Sequence, residues 1–145
     1  MSNSKPLGIE DKSGFAFVKE ILKGDSTFAI NFDRLQKHPQ RGYIIFEFLL
    51  CEEKQLVNPH TSHPNRYWHK NSQKFISLFK VSQALKATLY LVNYAKTGTK
   101  HADKIKVMKI ISVDDKNGIT QEESNNSTRM EFSEWFRKLN AECCK

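Results

Sequence analysis

Two acidic residues, Asp33 and Glu47, stand fourteen positions apart in otherwise apolar surroundings. Glu47 lies inside Tyr43-Ile44-Ile45-Phe46-Glu47-Phe48-Leu49-Leu50, a β-branched and aromatic run that reads as a strand buried on both faces. A carboxylate there is costly to bury unless a cation, a metal ion or hydrogen-bond donors meet it. Glu47 is therefore the leading functional candidate. Asp33 sits near the end of the preceding alternating segment, Phe28-Ala29-Ile30-Asn31-Phe32-Asp33-Arg34-Leu35. Neighbouring strands that bring two carboxylates together create a set able to hold one or two divalent ions. Phosphodiester hydrolysis uses such ions to activate water and to stabilise charge on the leaving oxygen. Alternation puts Glu47 on the face of Tyr43, Ile45 and Leu49, opposite Phe46 and Phe48, and the chemistry requires Asp33 to share that face. The bland alternatives are an Asp33 paired with Arg34 or Arg41, and a Glu47 facing the surface from an edge strand.

The elements that must position these groups follow from periodicity. Phe15, Phe17, Val18, Ile21 and Leu22 fall mostly on one helical face and Gly24 ends the run, which predicts a first helix after a mobile segment at 1–12. Strands at 28–35 and 42–50, joined by the polar connection 36–41, predict an antiparallel hairpin. Residues 52–66 read as a loop with a short edge strand at 55–57. Helical spacing resumes over 67–86, followed by strand composition at 88–94 and a further strand over 105–113. Residues 114–128, rich in Asn and Ser, read as a surface loop with a turn at Asn117-Gly118. Thr128-Arg129-Met130-Glu131 is a capping-box pattern opening a last helix. The resulting order, α-β-β-(β)-α-β-β-α, predicts an α/β (α+β) domain spanning 1–145, with a central mixed β-sheet flanked by helices.

A net charge of +7 favours polyanionic partners, although it also fits a merely soluble, charged coat. Three cysteines, Cys51, Cys143 and Cys144, provide neither a balanced disulfide set nor a paired metal site. No stretch approaches a membrane span and no secretory signal is visible, so a soluble, cytoplasmic protein is expected. The segment His60-Thr61-Ser62-His63-Pro64-Asn65-Arg66-Tyr67-Trp68-His69-Lys70 concentrates donors and aromatics. Arg66, Lys70 and Lys74 suit phosphate contacts, and Tyr67 or Trp68 suits stacking on a base. The same rings would equally plug the core at a helix start. His60, His63 and His69 with Cys51 match no standard zinc spacing.

A helix, a strand with an Asp, a second strand with a Glu, then a helix and another strand together resemble the restriction-endonuclease-like, or PD-(D/E)XK, nuclease superfamily, over roughly residues 14–113. That resemblance implies Asp33 and Glu47 as catalytic ligands of Mg²⁺ or Mn²⁺, with Glu20 on the first helix as an additional acidic residue. The motif lysine is missing: Leu49 occupies the position two after Glu47. Either the lysine has moved, with Lys70 or Lys74 on the following helix as the substitute cation, or catalysis is absent. Gln73 then stands beside the site and joins Arg66, Trp68 and His69 as nucleic-acid-binding candidates. The resemblance further implies DNA in preference to RNA, and a homodimer where both strands are cut. The expectations are thus a metal-dependent nuclease, a non-catalytic nucleic-acid-binding module of the same fold, or a regulatory protein-interaction factor.

Overall fold

The computed structural model describes residues 13–27 and 29–145; the expected mobile segment 1–12 lies outside them. The elements run α1 (Ser13–Leu22), β1 (Arg34–His38), β2 (Gly42–Leu50), a 3₁₀ turn (Pro64–Tyr67), α2 (Trp68–Ala84), β3 (Thr88–Tyr94), β4 (Lys104–Asp114), β5 (Gly118–Thr128) and α3 (Arg129–Cys143). The protein is α+β, with one five-stranded mixed sheet ordered β1-β2-β3-β4-β5. Strands β1 and β2 form the expected antiparallel hairpin, and β3–β4 and β4–β5 are also antiparallel. Only β2 and β3 run parallel, Ile44↔Thr88 through Leu50↔Tyr94. A parallel pair needs a crossover, and α2 supplies it.

Alternation along β2 divides the core. Ile45 and Leu49 face α2 with Trp68, Phe75 and Leu78, whereas Ile44 and Phe46 face α3 with Leu139. Phe46 stacks on Tyr90 at 5.2 Å and meets Phe136 edge-on, anchoring α3 through aromatic pairs. The Thr128 hydroxyl accepts from Glu131 N and the Glu131 carboxylate accepts from Thr128 N, so α3 starts where its capping box predicts. His38 is buried and bridges to Glu142, and Arg34 donates to Asn140, fastening β1 to α3. By contrast α1 buries none of its residues, and Phe15, Phe17, Val18 and Ile21 remain exposed.

Three expected elements differ. The first strand, expected over 28–35, of which residue 28 lies outside the described residues, begins at Arg34, because the next β2 amide after the Arg34↔Phe46 pair, Phe48 N, donates to the Asp33 carboxylate at 2.8 Å instead of to a backbone carbonyl. No strand forms at 55–57, where Leu56 is fully exposed and has no apolar face to bury. The loop expected at 114–128 is instead a turn over 115–117 followed by β5. Polar on most of its length, β5 is held by backbone pairing to β4 from Lys104↔Thr128 to Asp114↔Gly118, so it carries little hydrophobic signature.

The segment 58–66 spans the α2 side of the sheet. Asn93 Nδ2 donates to the carbonyls of Pro59 and Ser62, and His60 Nε2 contacts Ser127 O at 3.0 Å. Asn65 donates to Ile119 O and accepts from Ile119 N, matching both backbone groups with one amide. His63 Nδ1 accepts from Asn65 N, so its Nε2 carries the proton donated to Glu122.

Candidate functional site

Glu47 projects from the middle of β2 beneath α2 and is only 4% exposed. Its register explains the meeting with Asp33. Arg34 pairs with Phe46, so one step back along β1 Asp33 stands opposite Glu47 on the α2 face. The Phe48 amide fixes Asp33 there through one carboxylate oxygen, close enough to Glu47 to raise its pKa. The condition that both acids share a face is met.

The cation comes from α2. Lys74 Nζ lies 3.1 Å from Glu47 Oε2, and the Lys74 side chain is about half exposed. Packing of the neighbouring Phe75 and Leu78 into the core sets the helix rotation that delivers Lys74 to β2. Lys70, one turn earlier, is exposed and forms no ion pair with either acid among the described residues. Leu49, at the position where a motif lysine is missing, is a core residue.

Burial pushes the Glu47 carboxyl from 4.5 up to about 7; the ability of protonated Glu47 to donate to Asp33 and the negative charge of Asp33 add to the rise, and Lys74 opposes it. Two neighbouring carboxyl groups need a proton or a cation between them. An open cavity of about 460 Å³ reaches the pair, lined by Asn31, Asp33, Glu47, Gln73, Lys74 and Ser77. Gln73, exposed on α2, donates to Ser77 at the cavity wall. The site therefore combines two neighbouring carboxyl groups, a lysine and access from solvent.

Other expected residues fall elsewhere. Trp68 is buried, stacks on Phe75 at 5.7 Å and donates to Asp115 O at 3.0 Å, so its ring is a core plug and is withdrawn from base stacking. Arg66 and His69 are exposed near the start of α2. Glu20 is exposed on α1 and is absent from the cavity lining. His60 and His63 are committed to Ser127 and Glu122, and no group of three or more metal-ligating side chains forms among the described residues. Cys51, Cys143 and Cys144 form no disulfide among the described residues.

Asn93 is a site residue that the sequence pattern could have shown. It interrupts the apolar strand Thr88-Leu89-Tyr90-Leu91-Val92-Asn93-Tyr94 as Glu47 interrupts β2, and it is 1% exposed. Ser77 and Asn31 had no such signal, because both lie in ordinary polar positions of their segments. Comparison with protein-family models, curated proteins and solved structures finds no match.

Proposed function

We propose that this chain is a nucleic-acid-binding, nuclease-like protein that hydrolyses phosphodiesters, DNA in preference to RNA, with Mg²⁺ or Mn²⁺ held by Asp33 and Glu47. The observation that carries this is the acid pair in contact with Lys74 at the base of an open cavity. The donor set suits such an ion. Mg²⁺ is commonly held by one or two carboxylates together with substrate phosphate oxygens, and the raised Glu47 carboxyl beside Asp33 marks where positive charge is needed. A divalent cation bound there supplies Lewis acidity toward water and phosphate.

The residues have separate tasks. Asp33 is oriented by the Phe48 amide, Glu47 by the strand, and Lys74 brings the ammonium group that the lysine missing from position 49 would otherwise bring. Once the carboxylates are engaged by the ion, Lys74 is free to donate to a phosphate oxygen or to the attacking water. The strand order with the acids on β2 and just before β1, followed by a crossover helix and a parallel strand, supports the restriction-endonuclease-like assignment. A cytoplasmic location and pairing of protomers for duplex cutting belong to the same proposal.

A second possibility, a non-catalytic binding module, is favoured by the same contact, since Lys74 is engaged by Glu47. Plasmid, linear duplex, single-stranded DNA and RNA incubated with Mg²⁺, Mn²⁺ or EDTA separate the two. Metal-dependent cutting lost in folded Asp33→Asn and Glu47→Gln proteins establishes the nuclease. Salt-sensitive binding with no cutting of any substrate establishes the module, and absence of both sinks the nucleic-acid assignment.

A further inference from the structure

A second cleft, of about 390 Å³, lies on the other side of Lys74, which lines both cavities. It sits at the carboxyl ends of the parallel strands β2 and β3, where ligand crevices form in α/β sheets. We propose that this cleft seats one unpaired nucleotide next to the scissile phosphate, so that the substrate is single-stranded or frayed at that position. This rests on the nuclease assignment and specifies its substrate.

Four features of the cleft match a nucleotide. Arg66 on its rim is exposed and has no ion pair among the described residues, leaving a guanidinium for a phosphate. It lines the cleft beside Cys51 and Tyr67, whose ionisation burial suppresses and the Arg66 charge favours. The lining pairs apolar surface from Leu49, Leu50 and Tyr67 with the side-chain amide of Asn71, the combination that accepts a flat ring with polar edges. At the inner end, Asn93 spends its Nδ2 on the carbonyls of Pro59 and Ser62, and its buried Oδ1 has no hydrogen-bond partner among the described residues. An unpartnered buried acceptor calls for an N–H donor, and bases carry such donors on their pairing edges.

The volume stands at the low end of small-ligand sites, about 300–1,000 Å³, which suits one nucleotide and excludes a duplex. Base pairing would also occupy the edge that Asn93 needs. Arg66 and Lys74 then bracket consecutive phosphates of one strand, with Lys74 at the acid pair.

The test uses full-length Glu47→Gln protein in EDTA, so that binding is read without cutting. Anisotropy is measured with a labelled single-stranded oligonucleotide, a blunt duplex of the same sequence and inorganic phosphate, across a salt series. Expected is binding of the single strand at least about tenfold tighter than the duplex, with Arg66→Ala costing about tenfold and lowering the salt slope by about one. Arg66→Lys should restore the slope but not the full affinity, since a lysine cannot make a bidentate contact. Equal or tighter duplex binding, or an Arg66→Ala protein that is folded and binds as its parent does, overturns the cleft. Should the wild type still cut DNA in that case, the nuclease assignment survives alone. Absence of both binding and cutting overturns both.

Discussion

Glu47 makes the stability of this protein fall as pH rises, opposite to the usual effect of a carboxylate. Between pH 4.5 and about 7 the folded protein holds the Glu47 proton that the unfolded chain releases. The contribution is therefore complete below 4.5 and is lost as pH rises through about 7. At about 1.4 kcal/mol per pH unit, the whole effect is roughly 3 kcal/mol, most of which falls between pH 5 and 8. Glu47→Gln keeps the shape and the hydrogen-bonding capacity toward Asp33 and Lys74 but cannot ionise. Urea unfolding of both proteins at intervals from pH 5 to 8 isolates the residue, because other titrating groups cancel in the difference. The variant should gain on the wild type by roughly 2–3 kcal/mol across that range, equivalent to several degrees in melting temperature for a chain of this size. In Asp33→Asn, which removes a charge and a hydrogen bond that raise the Glu47 value, the wild-type transition should move to lower pH. A difference that stays constant with pH, or that runs the other way, refutes the raised Glu47 carboxyl.

Lys74→Gln removes the one group that lowers the Glu47 value, so the pH transition should shift above 7 and cutting should drop about 10²–10³-fold, whereas Lys70→Gln should leave the transition in place. Gly118→Ala should destabilise by about 3 kcal/mol in urea titrations. Its φ of +86° strains a side-chain-bearing residue by about 1–2 kcal/mol, and the added Cβ lands 2.3 Å from Asn65 Oδ1, disturbing two hydrogen bonds of about 1 kcal/mol each. Thr128→Ala should cost about 1 kcal/mol by opening the α3 cap, seen as a lower melting temperature with unchanged pH dependence.

The hairpin, the crossover helix and the capped last helix were legible because each has a strong local signal. Glu47 was legible for the converse reason, as a violation of the apolar pattern around it. The face of Asp33 was only a condition in the sequence, and its element was wrong: it precedes β1. Its position depends on a side chain replacing a ladder partner at Phe48 N, which no propensity encodes. The choice between Lys70 and Lys74 needs the rotation of α2, set by how Phe75 and Leu78 pack. Strand β5 escaped because pairing along β4 stabilises it without an apolar face, so Asn and Ser dominate its composition. In the segment 60–69, density of functional groups was misleading: Trp68, His60 and His63 serve the fold, while Arg66 stays free of ion pairs among the described residues.

The Asn65 amide also bears on how copies of this chain meet in concentrated solution. An eleven-residue strand at the margin of a sheet is a template on which another chain can add a strand and begin a fibril. Here Asn65 occupies both outward groups of Ile119 near one end of β5, and His60 occupies the Ser127 carbonyl near the other. An incoming strand would have to displace a side chain at each end before it could find a continuous row of partners. Two residues of a connecting segment thus act as gatekeepers against sheet growth on a strand with few large apolar side chains of its own.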